Sequence, residues 1–318
     1  PRTLPKENLI MRIALLTALL LALLFGSLGA QTLLPLPAFS STYSYSGHTR
    51  GYHFQAPAPF TIVALQVPDE TNHGKQNVAV WSSPGKPPTY SATSTAGLRF
   101  VSMGQPSSLW LPCHISFNQN DWVAVLGACG DSTIMHNSYG TGGYVTSLFG
   151  GASTLFRLIS QNNMVSLHAN NQPIPYSDNG ASNIGRVMMR VVMSPDLQAT
   201  GPGTVGSLLS YVLTSPADAG RPYQMGTSLT TGPIQFGTRR LWLGIDKVLE
   251  LSVTGLLPAT FRNYSGVLNS TGGGAATLAI PNITLLKGVQ LATAYVTLAP
   301  AAPQGISGIS GSHEFTVQ

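Results

Sequence analysis

Charge is what this chain has least of. Aspartate, glutamate, lysine and arginine together make up 8% of 318 residues, and the formal net charge is +5. The few charges are scattered; the nearest things to a basic cluster are Arg186 with Arg190 and the pair Arg239 and Arg240. Nucleic-acid binding needs a concentrated basic footprint, so the sequence argues against that class. Catalytic signatures are missing as well. There is no GxSxG. The histidines (His48, His53, His73, His114, His136, His168 and His313) form neither HxH nor HExxH. The glycine-rich stretches GPGTVGS and STGGGAAT lack the lysine that a phosphate-binding loop requires. An enzyme is not the expectation.

Long apolar runs are scarce too. The one that exists follows Met11 and Arg12 and ends in the small residues before Gln31. Its apolar part, 13–25, is ~13 residues where a membrane span needs about 20. It reads as a secretory signal peptide cleaved after Ala30, with an uncleaved anchor as the alternative and the residues before Met11 as an upstream extension. The expected location is therefore secreted, extracellular or at the cell surface, with no stable membrane span after cleavage. Cysteine is nearly absent: there are 2, Cys113 and Cys129. In an exported chain these are expected to form a disulfide, contributing about 3 kcal/mol by constraining the unfolded state. Two buried thiols are the alternative.

Breakers and short apolar runs make up the rest, with 34 glycines and 23 prolines. FTIVALQV stops at Pro68, NVAVWSS at Pro84, and LATAYVTLAP alternates along its length. Turn formers such as NQND, GACGD and SDNGASN separate the runs. Many short strands divided by turns predict an all-β chain. A helical turn or two is allowed within 144–160, and 246–256 reads as either a short helix or a strand. The expected organisation is a signal region (1–30), a linker (31–42), a jelly-roll-like β-sandwich (43–200), a breaker-rich linker (201–221) and an Ig-like β-sandwich (222–318). With so few charges, blocking of strand edges would fall to proline, glycine and loops, unless an edge is meant to pair.

Candidate site residues are few. The oxygen-rich turn FNQND makes Asn118, Asn120 and Asp121 candidate ligands for a structural calcium ion, although the same residues are ordinary turn formers. No other cofactor is expected. Aromatic side chains are plentiful for so polar a chain, and Tyr139, Tyr144 and Trp81 are the candidate ligand contacts. The glycines of NSYGTGGY would allow close backbone approach to a ligand. Core packing is the competing role for each of these rings.

Two stretches, TRGYHFQAPAPFTIVALQVP (49–68, followed by NVAVW) and the region from PYQMGTSLTTGPIQF to EFTV (222–317), resemble uncharacterised secreted β-sandwich proteins of planctomycetes and other environmental bacteria. The resemblance implies an extracellular, non-enzymatic module and supplies no catalytic residues. The expected function is a structural or adhesive extracellular β protein, with self-assembly into a surface layer or filament as one outcome. Its partners would be other copies or other extracellular proteins. A secreted carbohydrate-binding protein, with a polysaccharide as partner, is the alternative.

Overall fold

The strand Trp122–Gly130 sets the architecture of the N-terminal half. Val123 and Val125 point to one side, Ala124, Leu126 and Ala128 to the other, and all are fully buried. A strand buried on both faces needs a layer above and a layer below it. The computed structural model, which describes residues 31–318, supplies both. One layer is a four-stranded antiparallel sheet in the order Thr32–Leu33, Met188–Met193, Phe60–Gln66, Leu111–Phe117. The middle layer is a ten-stranded sheet whose main path runs Tyr144–Leu148, Gly151–Ser160, Thr49–Gln55, Trp122–Gly130, Lys75–Ser83, Leu98–Pro106. Tyr52, Phe54, Phe60, Ile62, Val80, Ile115 and Phe117 fill the space between the two.

The far side of the ten-stranded sheet is covered by the helix Met164–Ala169 and the chain that follows it. Met164, Ile174 and Tyr176 pack on Ala79, Trp81, Leu126 and Leu158. Asn163 starts the helix: its side-chain oxygen accepts from the Val165 and Ser166 amides. Its Nδ2 donates to the Ser46 and Asp131 carbonyls, tying the cap to two loops of the sheet.

The C-terminal half repeats the plan on a smaller scale. A sheet ordered Asp196–Thr200, Leu208–Thr214, Gly273–Ala279, Phe261–Arg262 faces one ordered Ser265–Val267, Pro222–Ser228, Gln290–Leu298, Ile306–Ile309. Leu208–Thr214 alternates strictly, with Leu209, Tyr211 and Leu213 inward against Met225 and Tyr295. The helix Lys247–Val253 and the hairpin Ile234–Phe236/Arg239–Leu241 bring Leu249, Phe236 and Leu241 onto Ala292, Ala294 and Val296 on the outer side of the second sheet. The chain is thus all-β and built of β-sandwiches, and among the described residues no helix is long and apolar enough to cross a membrane. The expected signal peptide, 1–30, lies outside the described residues.

The stretch 144–160 forms the hairpin Tyr144–Leu148/Gly151–Ser160, and the helix comes after it. Both expected linkers contribute strands: Thr32–Leu33 pairs with Met188–Met193, and Leu208–Thr214 lies at the centre of the C-terminal sheet. Cys113 and Cys129 do not form a disulfide; both are free. They sit in different sheets, one on Leu111–Phe117 and the other on Trp122–Gly130. Cys113 Sγ reaches the Ile62 carbonyl, whereas Cys129 Sγ lies by the carbonyls of Val67 and Pro68. Ile62 and Val67 are about 16 Å apart along an extended chain, far beyond the reach of a disulfide.

The two halves meet at the FNQND turn. Asn118 Oδ1 accepts from the Leu197 amide at 2.9 Å, and Asp196 Oδ1 accepts from the Gln119 amide at 2.8 Å. Arg99, buried at the same seam, pairs with Glu314 and lies 4.8 Å from the centroid of the Trp242 ring. A Cβ on Gly311 would lie 2.6 Å from the Asn118 nitrogen, so only glycine fits there. Burial pushes the Asp121 carboxyl up to about 7, against the opposing pull of the Asn118 amide and Arg99. The same burial brings Arg99 down to about 10.

Candidate functional site

The segment STYSY, between the prolines of LLPLPAF and the turn SGH, has the alternation and β-propensity of a strand. It forms Ser41–Tyr45, which pairs antiparallel with Met135–Gly140 in a register placing Ser41 opposite Tyr139, Tyr43 opposite Asn137 and Tyr45 opposite Met135. Among the described residues this is its only strand partner. Every residue of the strand except Tyr43 is exposed, and Tyr43 is half-buried. The strand is therefore an open edge that meets solvent on both faces, and it carries no charge, proline or bulge. Native proteins block such edges with those devices, because unpaired backbone N–H and C=O groups template pairing with another chain.

Around this edge the aromatic rings line up. Tyr43 and Tyr139 have centroids 5.6 Å apart with planes within 2°, and Tyr43 and Tyr45 are 6.3 Å apart within 3°. The His48 ring lies 4.1 Å from Tyr45. Asn137 anchors the row from below: its Nδ2 donates to the Tyr43 and His48 carbonyls, and its Oδ1 accepts from the Arg50 amide. Tyr45 is 50% exposed while Tyr139 is 8% exposed, so the row runs from the surface into the fold.

Two arginines stand against the inner end of this row. The Arg50 guanidinium lies 5.4 Å from the Tyr43 ring centroid and Arg157 lies 5.3 Å from that of Tyr139, both within cation–π range. Arg50 Nη2 and the Tyr43 hydroxyl both reach His48 Nδ1, at 3.1 and 2.7 Å. A guanidinium can only donate, so Nδ1 is the acceptor and the ring is neutral. Desolvation, followed by the two arginine charges, lowers the His48 pKa.

The other candidate residues are dispersed. Trp81 is 1% exposed beneath Tyr176, with ring centroids 5.0 Å apart, so it is a core residue and not a ligand contact. Tyr139 and Tyr144 stand on different strands; Tyr139 joins the aromatic row and Tyr144 packs against the inter-sheet core. The oxygens of the calcium turn are engaged by backbone amides: Asp121 Oδ2 accepts from Asn118, and Asn118 Oδ1 from Leu197. Asn120 occupies the left-handed turn position, with φ of 71°. Among the described residues no group of three or more His, Cys, Asp or Glu side chains is placed to hold a metal ion. Sequence reading misses Arg50 and Arg157, because an isolated arginine in a strand carries no local signal of what it will face. The alternating tyrosines of STYSY are the one available clue. The chain matches no protein-family model and no curated protein.

Proposed function

We propose that this is an extracellular structural or adhesive β protein that associates through the strand edge Ser41–Tyr45. The unblocked edge carries the reading: it is uncharged, exposed on both faces and, among the described residues, paired on one side only. A second edge strand, Tyr144–Leu148, pairs among the described residues only with Gly151–Ser160 and is equally free of charge. A subunit with two such edges can extend beyond a pair. The location outside the cell rests on the signal-like apolar run, and the resemblance to secreted planctomycete modules supports it.

The test is sedimentation velocity across a concentration series, with electron microscopy of the same samples. Concentration-dependent assemblies are expected for the native protein. The double substitution Thr42→Lys/Ser44→Lys, which charges the edge without touching the core, should abolish them and leave the melting temperature unchanged. A native protein that stays monomeric at every concentration would overturn the proposal.

The aromatic row supports a second reading, carbohydrate binding, since exposed rings such as Tyr45 present the kind of face on which a sugar ring stacks.

A further inference from the structure

We propose that Arg50 and Arg157, with Tyr45 and His48 beside them, form a binding site for the acidic units of an extracellular polysaccharide; the proposal rests on the carbohydrate-binding reading and specifies its ligand. Arg157 Nη2 donates to the Tyr139 hydroxyl at 2.8 Å, and Arg50 also approaches that hydroxyl. Two cations thus converge on one neutral group.

The ion pairs among the described residues involve His53, His73, Lys86, Arg99, Arg186, Arg221 and Lys247, and none involves Arg50 or Arg157. In a chain with few charges, these two guanidiniums have no carboxylate partner among the described residues, and the Arg157 charge works against that of Arg50. The Thr49 and Ser160 carbonyls accept from Arg50 Nη1, and His48 Nδ1 and Gln161 Oε1 accept from its Nη2, so Arg50 is fixed in place as a charge and the half-buried Arg157 is the one left to meet a ligand. The Nε atoms of both arginines are buried and have no hydrogen-bond partner among the described residues. Arg50 is 4% exposed, so its donor is oriented by the fold rather than by solvent. A carboxylate or sulfate ester arriving at Arg157 would meet a guanidinium oriented by its bond to Tyr139 and offset the repulsion from Arg50.

The surroundings favour a sugar as the carrier of that anion. Tyr45 lies half-exposed on the His48 ring, which in turn contacts Arg50. A pyranose resting on Tyr45 would bring an acidic substituent toward the arginines. Gln161, exposed and bonded to Arg50 Nη2, adds an amide able to bond sugar hydroxyls.

The test is affinity electrophoresis of the purified protein in gels containing polygalacturonate, dextran sulfate or neutral dextran, repeated at raised salt. Retardation by an acidic polymer and not by neutral dextran is expected, weakening with salt. Retardation by polygalacturonate alone assigns a carboxylate, and by dextran sulfate alone a sulfate ester. Arg157→Gln should weaken the binding about tenfold or more, and Tyr45→Ala should weaken it as well. Lys287→Gln, which removes one charge from an exposed site elsewhere, should leave it unchanged. Melting temperatures establish that each variant is folded. Acidic-polymer binding that Arg157→Gln leaves intact would overturn the site. Equal retardation by neutral dextran would retain the carbohydrate reading and overturn the acidic assignment. No retardation in any gel would remove both.

Discussion

Replacing Asp121 with asparagine should change how stability depends on pH. Its carboxyl is held at about 7, where an ordinary aspartate sits at 3.8, because it is buried at the seam near Asp196. Between these values the folded chain binds a proton that the unfolded chain does not. Stability from this group is therefore highest in acid and is lost as pH rises through the folded pKa. At about 1.4 kcal/mol per pH unit the full effect is on the order of 4 kcal/mol, and residual exposure reduces it to about 2–4 kcal/mol.

The substitution Asp121→Asn requires no new contact, since the isosteric amide oxygen can still accept the Asn118 N–H bond. The variant should match the native protein near pH 4 and exceed its stability by about 2–4 kcal/mol at pH 8. Other groups also titrate in this range. Burial brings His114 and His313 down to about 4, so their contribution is lost as pH falls from 6.5 through that value. Both histidines are common to the two proteins and cancel in the difference. The assay is urea unfolding of native and variant protein at half-unit intervals from pH 4 to 8. Parallel profiles would refute the reasoning, because they would mean that Asp121 ionises in the folded seam as freely as in water.

Three further outcomes are expected. Trp81→Ala removes the ring that fills the layer beneath Tyr176 and should cost about 3–5 kcal/mol, read from the urea midpoint, without changing polymer binding. Burial pushes the Cys113 thiol up to about 12 and raises Cys129 as well, so a thiol reagent at pH 8 should label neither cysteine in the folded protein and both in urea. Reducing agent should leave the unfolding midpoint where it was; a downward shift would restore the disulfide that the structure removes.

Legibility in the sequence differs by residue. The strands Phe60–Gln66 and Gln290–Leu298 follow from alternation and terminating breakers, both local properties. The helix Lys247–Val253 is half-legible, as Asp246 is a good N-cap and its carboxylate accepts from the Leu249 amide. The cysteine pairing fails because closeness in sequence says nothing about which sheet each strand joins. FNQND is legible as a turn, but whether the Asn118 oxygen faces an ion or the Leu197 amide, 79 positions later, is invisible locally.

Short-range pattern determined that this polypeptide is all-β, where its turns fall and which side chains alternate, because a period of two and the conformational limits of proline and glycine act over a few residues. Only tertiary structure decided that Ser41–Tyr45 has no second neighbour among the described residues, that Trp81 is core, and that Arg50 and Arg157 converge on Tyr139 without an acid between them. Those facts depend on which distant strands meet, and strand pairing is set by the packing of the whole chain.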